Sequence, residues 1–553
     1  MDIQSAIEGA KACITTVQAA IDLLDLKPVP VQRFGTIAAL TDCIDVVDEA
    51  LAWIEERGGG VILEFPYIGG YEISREIIVT TPNTFLRFMD PVLNLTSTTA
   101  CAAVSFRGTI DNLLLNVGII GPVEINGNGS NVVGYVYDTG NPISGDNPCL
   151  LFKWVDGALA ERVIARNGLT CGLRSFQCRD VRWIDCEGHD SVYDNGGSIE
   201  YNHPTFDPDI PSTWSSSQVV RFKASGNRGF GIGSFGAKDV FFQHPKVWDN
   251  GNNDGTHPAG AGGGIALEFH LGGAFDFDHR LVVLEPDITN VWGAGIYVTC
   301  GGTRVQGGRI DGVKEPTEYP DGAEQGDGIV LFGQTSIDTN CTITNCDRHG
   351  IFALATEETG LPSITYRGVM VGCGGSAISA RGASYVRVLP ETIIESCGGV
   401  VISVTNDNAD YNAGNGSVFL SGNFNNNENR VSAVDGVARC IVGKVQGSGN
   451  GTGLSTASIA MDHQNVALVD VDGVILTEND SNVYFGVRAT STCDEARIKN
   501  VSGTFTAAAI SNAASTVIAT TLTAPTGGNF VDVEARASLG AIRNLLIAMG
   551  EAK

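Results

Sequence analysis

The chain has 553 residues, 70 of them glycine, with only 18% charged residues and a formal net charge of −27. This length calls for several domains or a repeating architecture, and the composition argues against disorder and against a helical enzyme. The charge argues against nucleic acid and an anionic membrane as partners, because nothing in the balance neutralises phosphates; a polyanionic substrate needs a local basic patch, whereas a neutral or partly charged glycan does not.

The first predicted element is a helix with a heptad seam at Ile3, Ile7, Ala10, Ile14, Val17, Ile21 and Leu24. Isoleucine at both kinds of seam position favours three or four strands over two, and a homotrimer is the expectation. A shorter seam closes the chain at Leu539, Ile542, Leu546 and Met549, and everything between reads as strands. The opening MDIQSAIEGAK lacks a basic stretch followed by an apolar one, and no apolar run approaches membrane-spanning length. Synthesis in a reducing cytoplasm without a signal peptide follows as the expectation. The 14 cysteines then read as small buried residues, and the absence of any Cys-x-x-Cys pair argues against zinc.

Lys27-Pro28-Val29-Pro30 reads as a linker. Residues 31–74 follow, with a helix from about Asp42 to Glu56, capped by Thr41 or Asp42, then Gly58-Gly59-Gly60, a strand over Val61–Phe65 and another over Tyr71–Ile73. This order of Phe-Gly, Thr-Asp, helix, glycine triplet, hydrophobic strand with proline and Gly-x-Tyr-x-Ile resembles the opening of the pectate-lyase-like right-handed parallel β-helices. Many bacteriophage tailspikes belong to that family. The resemblance implies that this segment caps one end of a solenoid. The aspartate-rich run is thin here, and Pro66–Gly70 lengthens the usual turn.

The interior supports a solenoid independently. Residues 289–296, 344–351, 371–378 and 395–402 align as TNVWGAGI, TNCDRHGI, VGCGGSAI and ESCGGVVI. Cys346, Cys373 and Cys397 recur at steps of 27 and 24, and Cys186 fits the same column. Short strands and Gly/Asn turns repeating at this period are the signature of stacked coils. The cysteines are then expected as an inward ladder. Beyond Thr405 the pattern loosens into either further coils or a separate β domain. The expected organisation is 1–30 attachment helix and linker, 31–80 cap, 81–405 β-helix with a glycan site, 406–536 C-terminal β region and 537–553 terminal helix.

In such a fold chemistry must sit on loops at coil corners or on exposed faces. The segments 247–250 and 309–312 fall in register with 288–290 and 343–345, which places long insertions at 250–264 and 312–327 on either side of a bare coil. A loop over 187–217 is expected to rise on the same side. Carboxylates interleaved with aromatic rings in 185–330 suit an oligosaccharide groove: rings stack on sugars, and two carboxyl groups serve glycoside hydrolysis. Asp249, Asp254 and Glu268 are the candidate catalytic residues. Trp248, His257, His270, Asp287, Trp292, Tyr193, Trp214 and Arg228 are the candidate substrate-binding residues. Asp and Asn in glycine-rich turns equally serve only to satisfy backbone groups. No cofactor or metal is called for; Asp276, Asp278 and His279 match no metal motif.

The expectation is a trimeric virion tailspike that attaches to other tail or baseplate proteins through its N-terminus. It depolymerises a host capsule, O-antigen or exopolysaccharide, with hydrolysis ahead of β-elimination. For a lyase, Arg221, Lys223 and Arg228 form the basic knot near the trough. A non-catalytic receptor-binding fibre stands as the alternative from another class.

Overall fold

The computed structural model describes residues 26–512 except 90, 136–146, 202–215, 252–261, 269–279, 317–325, 334, 356–361, 383, 406–415, 453–457, 478–482, 491–492 and 504–507. Both heptad seams lie outside the described residues, and with them the two terminal helices expected from the sequence. The chain divides into two compact units, Met1–Gln325 and Gly326–Lys553. Each is a parallel β-helix.

The first unit opens on Lys27–Pro30, which is not a linker. It is a strand paired in parallel with Val61–Glu64. Pro28 and Pro30 are two residues apart, so alternation puts both missing donors on the same edge, the one place a sheet accepts them. The helix Ile44–Glu55 follows, started by Asp42, whose Oδ1 accepts the Ile44 and Ser74 amides at 3.2 Å. Val47, Ala50 and Ile54 form its buried face.

Three short strands make one coil. Val240–Gln243, Lys246–Trp248 and Gly263–Glu268 pair with Val282–Leu284, Asp287–Thr289 and Ala294–Val298 of the next coil. Strand alternation sends every second side chain inward. Three apolar rows result: Val219, Phe242, Val283 and Val305; Ala224, Val247, Ile288 and Ile310; and Ile232, Ile265 and Ile296, all fully buried. Each Val, Ile or Phe buried in this way contributes about 1.5–3 kcal/mol, so the rows hold the coils together. The rows meet closely at one corner. A Cβ on Gly264 would lie 2.8 Å from Ile288 Cγ2 and 2.3 Å from the Gly295 carbonyl oxygen.

Two corners of each coil are single residues in the left-handed region. The first corner uses Asp185, Arg221, His244 and Glu285, with φ from 47° to 54°. The second uses Asp190, Gly226, Asp249, Asn290 and Gly312, with φ from 52° to 69°. Glycine and short polar side chains suit the second corner because they carry this conformation at least cost. Just past it, buried Asn250 turns inward. Its Oδ1 accepts the Asn227 backbone amide at 3.0 Å and the Asn227 Nδ2 at 2.8 Å, while its Nδ2 donates to the Ala224 and Trp248 carbonyls.

In the second unit the rows Ile343, Met370, Ile394 and Ile351, Ile378, Ile402 repeat the pattern. Cys346, Cys373 and Cys397 follow the left-handed Asn345, Gly372 and Ser396 and stack as a buried ladder. Hydrogen bonding between successive thiols, with burial, holds Cys373 and Cys397 well above the usual thiol range, so they act as small hydrophobes. Cys186 is not of this kind: it follows Asp185 at the first corner and donates to the Ala160 carbonyl at 3.3 Å. The two corners look alike in sequence because each is one left-handed residue followed by an inward one.

The described residues of 417–512 form further coils. Ser417–Asn425, Arg439–Ser448, Leu468–Thr477 and Glu495–Gly503 form one ladder, and Ser432–Asp435, Ser458–Gln464, Val483–Ala489 and Ala508–Asn512 another.

Candidate functional site

The outward residues of the second strands in the first unit form two rows. Register sets Glu187, Lys223, Lys246, Asp287 and Arg309 side by side, and next to them His189, Ser225, Trp248, Thr289 and Asp311. Lys223 Nζ lies 2.6 Å from Glu187 Oε1, Arg309 Nε 2.8 Å from Asp287 Oδ1, and Lys246 Nζ 3.9 Å from Asp287 Oδ2. Pairs at such a surface contribute about 0–1 kcal/mol each, so they hold geometry more than they hold the fold.

Part of this face is a groove of about 640 Å³, lined by Arg166, Glu187, His189, Lys223, Ser225, Lys246, Trp248, Asp249 and Thr289. Three cations thus meet in one groove of a chain whose net charge is −27. Trp248 supplies an aromatic surface, with the Lys246 ammonium 5.7 Å from its ring centroid and the His189 ring 5.8 Å away. His189 is only 3% exposed. Its Nε2 is 3.0 Å from Glu187 Oε2 and its Nδ1 is 2.8 Å from Ser225 Oγ. Burial works against an ionised Glu187, but hydrogen bonds from Lys223 and His189 outweigh it and hold the carboxyl below the usual range.

Two carboxylates stand at the second corner on either side of a glycine: Asp190, Gly226 and Asp249 occupy successive coils. Asp190 Oδ1 occupies space 2.3 Å from where a Cβ on residue 226 would sit, so it leans across Gly226. The Arg166 guanidinium is 3.8 Å from Asp190 Oδ2, and the Asn290 amide donates to Asp249 Oδ1. Two coil steps of about 4.8 Å separate the backbones of Asp190 and Asp249 by roughly 10 Å.

Of the residues anticipated from sequence, Trp248 and Asp249 line the groove, and Asp287 joins it to the next coil through Lys246 and Arg309. Trp292 lies past the second corner with the Lys314 ammonium 5.1 Å from its ring centroid. Tyr193 packs at 5.5 Å against Tyr135, and Arg228 is half-buried between second and third strands. Asp254, His257, His270 and Trp214 lie outside the described residues, as do Asp276, Asp278 and His279.

Glu268 is not brought to Asp249. It ends a third strand, in the other sheet, while Asp249 is the corner after a second strand. Within the loop expected over 187–217, Glu187–His189 and Gly197–Glu200 are ladder strands of the coils, and 202–215 lie outside the described residues. Arg221, Lys223 and Arg228 do not form a knot. Arg221 clamps Asp185 at the first corner, with Nε and Nη2 at 2.5 and 2.7 Å from the carboxylate, and Lys223 alone of the three enters the groove.

On the third-strand face Glu268 is half-buried, and loss of hydration together with the Asp194 charge pushes its carboxyl up to about 7. Sequence reasoning missed Glu187, Ser225, Lys246 and Arg166. The signal was present in the x-Glu-x-His, x-Lys-x-Ser and x-Lys-x-Trp alternation of successive second strands, once these are placed in register.

No protein-family model matches the chain, and no curated protein matches it. Solved structures similar to it include the A-module of a mannuronan C-5 epimerase from Azotobacter vinelandii, 13% identical, covering 91% of this chain and 100% of that one at a TM-score of 0.37. The Dettilon tailspike protein is 13% identical over 61% of this chain and 68% of that one, with a TM-score of 0.36. The N-terminal fragment of bacteriophage Phi29 gene product 12 is 11% identical over 94% and 95%, with a TM-score of 0.37. These likenesses carry nothing about chemistry.

Proposed function

We propose that this protein binds and depolymerises a polysaccharide on the second-strand face of its first unit. The observation that carries this reading is one groove lined by a half-buried tryptophan, three cations and the Asp249 carboxylate. Trp248 offers a sugar ring its apolar surface, while Arg166, Lys223 and Lys246 favour a glycan bearing uronate or other acidic groups. Asp190 and Asp249 are the carboxylate pair. Inverting glycoside hydrolysis places its two carboxyl groups about 6.5–9.5 Å apart; the backbones of these two corners are roughly 10 Å apart, and Asp190 leans toward Asp249 across Gly226. One protonates the leaving oxygen and the other activates water from the opposite side of the sugar ring.

A second reading places catalysis on the third-strand face. It is favoured by Glu268, whose carboxyl is pushed up to about 7 in the field of Asp194, a pairing suited to a protonated acid beside an ionised base. The heptad seam at Ile3–Leu24 supports a homotrimer mounted by its N-terminus on a larger particle, such as a phage tail, with the glycan on a bacterial surface.

The test is incubation of the full chain with purified capsular or O-antigen polysaccharides, followed by assay of reducing ends and chain length. Released oligosaccharides are expected. Binding without products identifies a receptor-binding fibre, and absorbance near 235 nm from an unsaturated product identifies a lyase.

A further inference from the structure

Three side chains of the groove form a connected chain that glycoside hydrolysis does not use. Ser225 Oγ lies 2.8 Å from His189 Nδ1, and His189 Nε2 lies 3.0 Å from Glu187 Oε2. The three are held by the fold: Glu187 and His189 share one face of a three-residue strand, and Ser225 pairs directly with His189 on the next coil. Lys223 Nζ, 2.6 Å from the other Glu187 oxygen, fixes that carboxylate.

The tautomer follows from chemistry. An ionised carboxylate only accepts hydrogen bonds, so Nε2 carries the imidazole proton and Nδ1 presents its lone pair to the Ser225 hydroxyl. Nucleophile, base and orienting carboxylate then stand in the order that acyl transfer requires. His189 is 3% exposed and Ser225 lines the open groove, so the base is shielded while the hydroxyl is reachable.

We propose that Ser225, His189 and Glu187 form a second active centre in this groove that hydrolyses O-acyl esters carried on sugar hydroxyls. Ser225 Oγ bonds to the acyl carbon as its proton passes to His189 Nδ1. The C–O bond to the sugar breaks, and that proton goes to the departing sugar oxygen. Water then attacks the acyl-serine and gives a proton to Nδ1, the acid is released, and the proton returns to Ser225. The Arg166 and Lys246 cations lining the groove are the groups placed to stabilise the oxyanion. Only the sugar nature of the alcohol rests on the glycan reading.

The test uses the full-length protein with p-nitrophenyl acetate and, separately, a fluorophosphonate probe followed by peptide mass spectrometry. Wild type is expected to release p-nitrophenol at least tenfold faster than Ser225→Ala and to carry the phosphonyl group on Ser225. His189→Gln is expected to lose both signals, and Glu187→Gln to lose rate by roughly 10- to 100-fold. Unchanged melting temperatures show that the variants fold; if Ser225→Ala melts early, Ser225→Cys with the same probes replaces it. Equal hydrolysis by wild type and Ser225→Ala, or no label on Ser225, overturns the proposal. Acetate release from an acetylated polysaccharide without new reducing ends supports this centre and removes the depolymerase reading. Reducing ends with neither ester hydrolysis nor label do the reverse.

Discussion

Asp190 leans over Gly226, its Oδ1 2.3 Å from the position a Cβ at 226 would take. Gly226 also has φ 68°, where a side chain is strained by about 1–2 kcal/mol. Gly226→Ala therefore has two effects: it costs modest stability and it displaces the Asp190 carboxylate. Polysaccharide cleavage is expected to fall at least tenfold, while the melting temperature drops by only a few degrees. Comparing reducing-end release with thermal unfolding separates the two.

If Asp190 and Asp249 are the catalytic pair, each amide variant removes one required role. Asp249→Asn and Asp190→Asn are expected to lower turnover by roughly 10²–10⁴-fold, the range for removing a positioned acid or base. Folding should be spared because both lie at coil corners outside the apolar rows. Glu268→Gln assayed beside them decides between the two faces: full activity in this variant removes the third-strand reading, and full activity in both aspartate variants removes the groove pair.

The fold was legible because a solenoid writes its inward rows into the sequence. Ile351, Ile378 and Ile402, and Cys346, Cys373 and Cys397, recur at fixed offsets from a left-handed residue, and they stack as that spacing implies. The site was less legible. Trp248 and Asp249 were visible as an aromatic beside a carboxylate, but their neighbours in space come from strands more than 20 positions away in the sequence, such as Lys223, His189 and Arg166. Those partners emerge only when register between coils is fixed, and unequal excursions between strands hide it. Glu268 was grouped with Asp249 by proximity in sequence, although a corner and a full strand separate them. Lys27–Pro30 reads as a break because of its prolines, whereas among the described residues this strand pairs only with Val61–Glu64, and its other edge asks for no donors.

Asn250 tests how far the second corner depends on its buried amide. Asn250→Ala leaves the Asn227 backbone amide and Nδ2 without this acceptor, and the Ala224 and Trp248 carbonyls without this donor. Stranding buried polar groups in this way costs about 1–3 kcal/mol, more than the lost packing of so small a side chain. A clearly lower thermal midpoint is expected. Activity measured well below that midpoint should fall as well, because Asn250 directly follows Asp249 and sets its corner.

Glu268 gives a prediction with a definite sign in pH. Burial first, and the Asp194 charge second, raise its carboxyl in the folded chain from 4.5 to about 7. Between those values the folded state holds a proton that the unfolded chain has released. Stability from this group is therefore fully present below about 4.5, declines as pH rises toward 7, and is absent above it. Glu268→Gln keeps the shape and cannot ionise, so it should flatten this decline. Thermal midpoints of wild type and Glu268→Gln are expected to lie close together at pH 4.5 and to separate by pH 8, with the variant the more stable. Parallel curves across that range would mean that Glu268 ionises normally, and the case for it as a protonated acid on the third-strand face would fall with them.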